Sequence, residues 1–171
     1  MSSEYVEPER VRDSPSPQRE LIFRILDLST DIDGVGRAAA PLIGINQTDL
    51  ICLNVLFRRG AMTAGQLAGA VGLTTGATTT VIDRLERGGY VGRRGDATDR
   101  RRVLVEADPA AALRAFSLFD GLLEQLAELS DGYSAEQITL LVDLLTRCQQ
   151  VLSGYAATLR TQAATHRPGS S

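Results

Sequence analysis

Residues 63–107 of the 171-residue chain read TAGQLAGAVGLTTGATTTVIDRLERGGYVGRRGDATDRRRVLVEA. Thr63 and Gln66 have the spacing of a capping box, which predicts a short helix at 64–71. Gly72 ends that helix, and Thr74 has the position of an N-cap for a second helix at about 75–87. Two short helices joined by a three-residue turn that contains glycine are typical of a helix-turn-helix.

The second of these helices has two chemically different faces. Helical spacing places its apolar side chains, together with one threonine, on a face that we expect to pack inward. The inward residues are Ala77, Thr78, Val81, Ile82 and Leu85. The opposite face carries Thr75, Gly76, Thr79, Thr80 and Asp83. This outward face is therefore small and polar, with no bulky apolar group.

A β-hairpin is predicted directly after the second helix. Gly88-Gly89 ends the helix, and an extended segment runs from Tyr90 to Arg94. The polar turn GDATDRR then precedes a β-branched, apolar strand at 102–106. Helix, turn, helix and an arginine-rich hairpin in this order predict a winged helix. We expect the whole chain to be mainly α, of the α+β type, with long helices before and after this unit.

Charge is distributed unevenly along the chain. It contains 18 arginines, no lysine and 21 acidic residues, for a net charge of −3. Residues 58–102 nevertheless hold nine arginines and four acidic residues, a local charge of +5 that leaves −8 on the remainder. Such asymmetry is expected when one face meets a polyanion, although chance clustering on a solvated surface gives the same numbers. Because the basic segment coincides with the winged helix, the two signals together favour double-stranded DNA as a partner.

The winged helix predicts where DNA contacts should lie. The second helix enters the major groove, where Thr75, Thr79 and Thr80 reach bases or phosphates and Gly76 permits close approach of the backbone. At the hairpin tip, Arg100 and Arg101 suit the negative potential of the minor groove.

Other arginines are predicted to contact phosphates, which positions a protein without reading sequence. These are Arg84, Arg87, Arg93 and Arg94. Alternatively, Arg84 and Arg87 pair with Asp83 and Glu86 on a solvated helix face. Asp99 is expected to hold the turn by hydrogen bonds and to pair with an arginine.

Four further helices are predicted, at 18–33, 47–59, 108–130 and 135–161, the first ending at Gly34 and Gly36. The terminal helices carry more apolar surface than the winged helix alone buries, which predicts a homodimer; an intramolecular helical hairpin is the alternative. The predicted dimerisation residues are Leu21, Ile25, Leu28, Leu141, Leu145, Leu152 and Tyr155.

These elements divide the chain into five parts. They are a disordered arm at 1–17, the N-terminal dimerisation helix and connector at 18–45, the DNA-binding lobe at 46–107, two long helices completing the dimerisation region at 108–162, and a flexible tail at 163–171.

Several function classes are disfavoured by what the sequence lacks. Cys52, Cys148 and His166 are the only cysteines and histidine, so one chain assembles neither a disulfide framework nor a zinc site. No nucleotide-binding loop, nucleophile elbow or zinc-protease motif occurs. No apolar run has the length of a signal peptide core or a membrane span. We therefore expect a cytoplasmic protein that is not an enzyme, with no metal, no cofactor and no membrane partner.

Residues 47–107 resemble the multiple antibiotic resistance regulator (MarR) family of winged-helix transcription factors. The matching stretches are QLA at 66–68 with VGL at 71–73, VIDRLERGGYV at 81–91, and DATDRR at 96–101. The wing of this fold is the hairpin that follows the second helix. The resemblance implies that Asp99 holds the wing in shape and that Arg101 is the wing arginine that enters the minor groove. It also implies dimerisation through the first and last helices. Family recognition helices often carry arginine or other long polar residues where this chain has Thr75, Gly76 and Thr80, a departure that favours readout of DNA shape.

Taken together, these features predict a homodimeric regulator, a repressor by expectation, that binds a pseudo-palindromic operator. The resemblance further implies a small aromatic or lipophilic effector, bound where the dimerisation helices meet the DNA-binding lobe. Candidate pocket residues are Phe23, Leu42, Ile43, Phe57, Phe116 and Phe119. The alternative function is a winged-helix scaffold that docks its hairpin on an acidic protein without binding DNA; the arginine-rich tip, which has no apolar or aromatic residue, disfavours it.

Overall fold

The structure, a computed structural model, describes residues 16–99 and 101–165, without the side chains of 164 and 165. In chain order its elements are α1 (Pro17–Ala39), a 3₁₀ helix (Ala40–Ile43), α2 (Gln47–Arg59), β1 (Met62–Thr63), α3 (Ala64–Val71), α4 (Thr75–Arg87), β2 (Val91–Gly95), β3 (Val103–Ala107), α5 (Pro109–Phe116), a 3₁₀ helix (Ser117–Phe119), α6 (Asp120–Ser130) and α7 (Ala135–Thr165). Residues 1–15 of the predicted arm and 166–171 of the predicted tail lie outside the described residues. Ser16 is the N-cap of α1 and Pro17 is its first residue, so the last two residues of the predicted arm belong to this helix.

Helices α2 to α4 pack with a small antiparallel sheet to form one hydrophobic core. The sheet has the order β1-β3-β2, with Met62 opposite Val105 and Arg94 opposite Leu104. The innermost side chains are those of Cys52, Leu53, Leu56, Leu67, Ile82, Leu85 and Val105. Strand β1 was not predicted, because two residues are too short to show an alternating pattern. The fold is the predicted winged helix with long flanking helices.

The N-caps that the sequence predicts are present. The Thr63 hydroxyl accepts a hydrogen bond from the Gln66 amide and the Gln66 side chain bonds back, which completes the capping box of α3. Thr74 caps α4 by accepting from the amide of Ala77 at 3.2 Å. Asn46 and Asp108 cap α2 and α5 in the same way. Each cap satisfies an amide that has no partner within its helix.

Helix α1 is longer than predicted. It passes through both Gly34 and Gly36 to Ala39, and the chain turns at Gly44, whose φ of 73° is left-handed. A glycine inside a helix costs only about 1 kcal/mol relative to alanine, which a long helix tolerates. The side chain of Gln47 donates to the carbonyl of Asp33 at 3.3 Å and fastens α2 to this last part of α1.

The predicted helix at 108–130 is broken in the structure. A 3₁₀ turn at Ser117–Phe119 separates α5 from α6, and the Ser117 hydroxyl donates to the Arg114 carbonyl at 2.9 Å. Serine competes for backbone hydrogen bonds in this way and weakens a helix interior. The break lets Phe116 and Phe119 pack against the small cluster that contains Ala39, Ala40 and Leu50.

Helix α7 extends to Thr165, so residues 163–165 are helical rather than part of a tail. None of the side chains at 135–163 is buried in the protomer. Within the described residues no single helix is long and apolar enough to cross a membrane. Two consecutive helical segments of this part of the chain, Pro17–Ile43 and Gln47–Arg59, are together long and apolar enough, but a bend of 95° separates them.

Candidate nucleic-acid interface

Helix α4 presents its polar face to solvent. Thr78, Val81, Ile82 and Leu85 are buried, as predicted, whereas Ala77 is exposed, because it lies at the edge of the apolar face near the helix start. Thr75, Gly76, Thr79, Thr80 and Asp83 are all exposed. The outward face is therefore the one that the sequence indicates.

The threonine hydroxyls of α4 bond to its own backbone. Thr79 Oγ1 donates to the carbonyl of Thr75 at 3.0 Å, and Thr80 Oγ1 donates to that of Gly76 at 3.2 Å. The buried Thr78 makes the same bond to Thr74 at 2.9 Å. At the exposed positions 79 and 80, a methyl group and oxygen lone pairs remain for an incoming ligand.

The guanidinium of Arg84 is paired with a carboxylate. Its Nε and terminal nitrogen bond to the two carboxylate oxygens of Asp49 at 3.0 and 2.5 Å, and Asp49 is only 2% exposed. The hydrogen bond to Asp49 raises the pKa of Arg84 above its ordinary value. The structure therefore corrects the predicted pairing of Arg84 with Asp83 or Glu86, since its partner is a buried carboxylate of α2 that sequence proximity does not reveal, and its phosphate contact stays a prediction.

Arg93 also has carboxylate partners, and its phosphate contact stays a prediction. It pairs with Asp83 at 2.5 Å and with Glu86, so it fastens β2 to the outer side of α4. The predicted Asp83 and Glu86 pairs exist, but with Arg93. Arg87 instead donates to the carbonyl of Asp83 at 3.1 Å. Arg94 pairs across the hairpin with Glu106 at 2.6 Å and is half exposed, so its phosphate contact stays a prediction.

Two aspartates shape the wing turn. Asp96 accepts hydrogen bonds from the backbone amide and the hydroxyl of Thr98 at 2.8 and 2.7 Å. These bonds, that of the hydroxyl first, hold the pKa of Asp96 below its ordinary value. Asp99 accepts from the backbone amide of Arg101 at 3.0 Å. Asp99 thus fixes the turn as expected, while Asp96, which the sequence analysis did not assign, fixes it from the other side.

This turn holds Arg101 at the tip of the wing. Its backbone is fastened by Asp99, while its side chain is exposed and makes no hydrogen bond or ion pair with the part of the chain that the structure describes. The neighbouring Arg102 lies 3.9 Å from Asp96. Arg100 lies outside the described residues. Arg101 is therefore an exposed cation on a turn whose backbone is held in shape.

The sequence of this chain is similar to those of known proteins. The sequence pattern of the MarR family matches residues 45–103, which span the helix-turn-helix and the first part of β3. The uncharacterized HTH-type transcriptional regulator YcgE of Bacillus subtilis (strain 168) is 36% identical over 116 residues, 68% of this chain and 75% of YcgE. The chain belongs to the MarR family. It is accordingly a transcriptional regulator of the MarR family and not an enzyme.

Solved MarR structures share the fold of this MarR-family chain. A MarR family protein from Bacillus stearothermophilus aligns with a TM-score of 0.64 at 22% identity, over 86% of this chain and 99% of that protein. Streptococcus pneumoniae FabT, solved in complex with DNA, aligns with a TM-score of 0.58 at 24% identity, over 78% of this chain and 99% of FabT.

The MarR-type flanking helices leave a large apolar surface exposed. Of the predicted dimerisation residues, Ile25 is half-buried and the other six are between 41 and 59% exposed. The apolar stripe of α7 runs along the helix, and no element among the described residues buries it. A soluble protomer rarely exposes so much contiguous apolar surface unless a partner covers it.

The predicted effector residues take part in separate contacts in the described part of the chain. Phe116 stacks at a tilt against Phe57, with 5.2 Å between ring centroids, and lies 6.4 Å from Phe119. Phe23 lies under the guanidinium of Arg19 at 5.4 Å and, among the described residues, has no contact with these rings. An open cleft of about 150 Å³ lies beside this cluster, and of the candidates only Ile43 lines it. Its lining residues are Ile43, Gly88, Tyr90, Ala111, Arg114 and Ala115.

Tyr90 connects the end of α4 to the segment that follows α1. Its hydroxyl donates to the carbonyl of Ile43 at 2.6 Å, and its ring packs on Gly88, where a Cβ atom would approach the ring to 3.0 Å. Gly88 therefore has no room for a side chain unless Tyr90 moves.

Cys52 is unreactive by position. It is fully buried, and burial, aided by the nearby charge of Asp49, raises its pKa to about 11. Because the thiolate is the reactive form, we expect a Cys148→Ser variant to react with iodoacetamide at pH 8 more than about 100-fold more slowly when folded than in urea. Mass spectrometry of the adduct measures both rates, and equal rates would contradict the assignment.

Proposed function

We propose that the chain acts as a homodimeric repressor that binds a pseudo-palindromic operator. In this proposal residues 46–107 form the DNA-binding lobe, and residues 18–45 with 108–162 form the dimerisation region. Thr75, Gly76, Thr79 and Thr80 of α4 face the major groove, while Arg101 and Arg100 reach the minor groove. The bound dimer represses by occupying promoter DNA.

The observation that carries the proposal is the state of Arg101. Arg84 and Arg93 are held by carboxylates, and Arg94 has a partner across the hairpin. Arg101 is instead exposed on a turn that Asp96 and Asp99 hold in shape. An exposed arginine without a side-chain partner among the described residues, on the hairpin that follows a helix with an exposed polar face, suits minor-groove insertion beside a major-groove helix.

Binding to DNA is tested by fluorescence anisotropy with the promoter region of the protein's own gene and with random duplexes as competitors. We expect preference for the promoter and an affinity whose logarithm falls linearly with the logarithm of salt, by about 0.9 per neutralised phosphate. Absence of binding at low salt would overturn the proposal and leave the scaffold function.

The dimer is supported by the exposed apolar stripe of α7 and the matching exposed positions of α1. We expect light scattering to give about twice the 18.4 kDa chain mass. Replacing Leu145 and Leu152 together by glutamate should weaken the dimer at least about 100-fold, because it places charge in a surface that is desolvated when the dimer forms.

Gln150→Glu provides the matched control for this dimer prediction. It adds a negative charge to the same helix, but helical spacing places residue 150 on the face opposite the apolar stripe. The control should remain dimeric. A wild-type chain that is monomeric at micromolar concentration, or equal effects of both changes, would contradict the proposed interface.

An effector is the remaining part of the proposal. The half-exposed Phe57 and the ring of Phe116 it contacts lie between the flanking helices and the DNA-binding lobe, where a small aromatic or lipophilic molecule would find apolar contacts. Such a molecule releases DNA only if it binds more tightly to a dimer arrangement that does not fit the operator. Screening small aromatic compounds for release of labelled operator tests this part separately.

A further inference from the structure

We infer that the recognition helix α4 reads A·T pairs through the 5-methyl group of thymine, an inference that rests on the proposed major-groove placement of this helix. The readout is assigned to Thr79 and Thr80. It replaces the expectation that the chain reads mainly DNA shape.

The first observation is the set of groups that α4 exposes. Residues 74–83, TTGATTTVID, contain no arginine, lysine, asparagine, glutamine or histidine. The usual bidentate contacts to guanine and adenine require those side chains. Asp83 is the charged residue of this stretch, and it is paired with Arg93. The exposed face therefore offers threonine side chains and backbone only.

The second observation is how the hydroxyls are used. Thr79 and Thr80 each donate their hydroxyl hydrogen to a carbonyl one turn earlier, at 3.0 and 3.2 Å. An O–H group carries one donor, so these oxygens are left as acceptors. What each side chain offers the groove is one methyl group and one hydrogen-bond acceptor.

Base-pair chemistry selects a match for this pair of groups. In the major groove an A·T pair presents the thymine methyl and the N6 amino donor of adenine. A G·C pair presents a donor on cytosine and no methyl. The acceptors do not distinguish the two pairs, because each presents two of them, N7 and O4 in A·T and N7 and O6 in G·C. An A·T pair satisfies both the methyl and the acceptor, whereas a G·C pair satisfies only the acceptor.

Gly76 lies one turn before Thr80 and has no side chain. A Cβ atom at Gly76 would meet no heavy atom within 4 Å, and the residue lies inside a helix, so internal packing does not require glycine there. Its lack of a side chain benefits only the outer surface. It lets the helix approach the groove closely enough for a short threonine methyl to touch a base.

The test uses the full-length chain and an operator enriched from random duplexes. Each thymine of the enriched operator is replaced in turn by deoxyuridine, which removes only the 5-methyl group, and affinity is measured by anisotropy. We expect at least one thymine per half-site whose replacement weakens binding about four-fold, the value for one buried methyl group, and about 15-fold when both half-sites are changed. A tightly bound operator whose deoxyuridine duplexes all bind like the parent would overturn the inference. Failure to enrich any duplex would instead count against the proposed function.

Side-chain variants link the methyl to a residue. Thr79→Ser and Thr80→Ser remove the threonine methyl and keep the hydroxyl. Thr80→Val keeps a methyl group and removes the acceptor, so it should weaken binding and leave the response to deoxyuridine unchanged. At least one of the two serine variants should weaken binding to the thymine operator and have no further effect on the duplex that already lacks the partner methyl. Additive losses for both variants would overturn the assignment. Thr158→Ser is the matched control, because Thr158 donates to the carbonyl of Gly154 at the same 3.2 Å but lies on α7.

Discussion

Replacing Arg101 by alanine is expected to weaken operator binding at least about 30-fold and to leave the dimer and its free energy of unfolding unchanged. An arginine contact to DNA is worth about 1–3 kcal/mol, and a symmetric dimer loses two of them. The side chain has no hydrogen bond or ion pair with the described residues, so the folded protomer loses no internal interaction.

The salt dependence gives this prediction a second measurement. The slope of log affinity against log salt should fall by about 1 for each wing, because each wing releases fewer counterions. Arg147→Ala removes the same charge from α7, where Arg147 pairs with Asp143 one turn away and with no other acid in the described part of the chain. It should leave affinity and slope within error of wild type. An Arg101→Ala variant with wild-type affinity would remove the observation on which the DNA-binding proposal rests.

The fold could be predicted where neighbouring residues determine it. The caps of α2 to α5 follow from hydrogen bonds between residues three positions apart, and the turn of the hairpin from bonds between residues two positions apart, which the sequence displays directly. The turn-fixing role of Asp99 is equally local, since its partner is the amide of Arg101.

Contacts between distant residues could not be predicted in this way. The Arg84 and Asp49 pair joins residues 35 positions apart, and the Tyr90 bond to Ile43 joins residues 47 positions apart. Both depend on how α2 packs against α4, which no local pattern encodes. Sequence spacing alone offered Arg84 its helical neighbours Asp83 and Glu86 or a phosphate, and the pairing with those neighbours was wrong. The break at Ser117 is similar, because the packing of Phe116 and Phe119 decides it.

Arg84→Ala is therefore expected to act on stability rather than on DNA contact. Removing the guanidinium leaves the Asp49 carboxylate, 2% exposed, without its counter-charge. Breaking a buried pair in this way costs about 3–5 kcal/mol, and because the Arg84 side chain is 36% exposed we expect about 2–3 kcal/mol in the free energy of unfolding measured with urea. The slope of operator affinity against salt should stay unchanged, whereas a phosphate contact would lower it.

Two further variants decide the cause of the Arg84 effect. Arg87→Ala removes the same side chain one turn along α4, where it donates only to a carbonyl on the surface, and should change stability by less than about 0.5 kcal/mol. Adding Asp49→Asn to Arg84→Ala removes the uncompensated charge and should recover about half of the lost stability. If Asp49→Asn instead lowers stability further by its full separate amount, the two side chains act independently. The pair would then not be what holds α2 against the recognition helix.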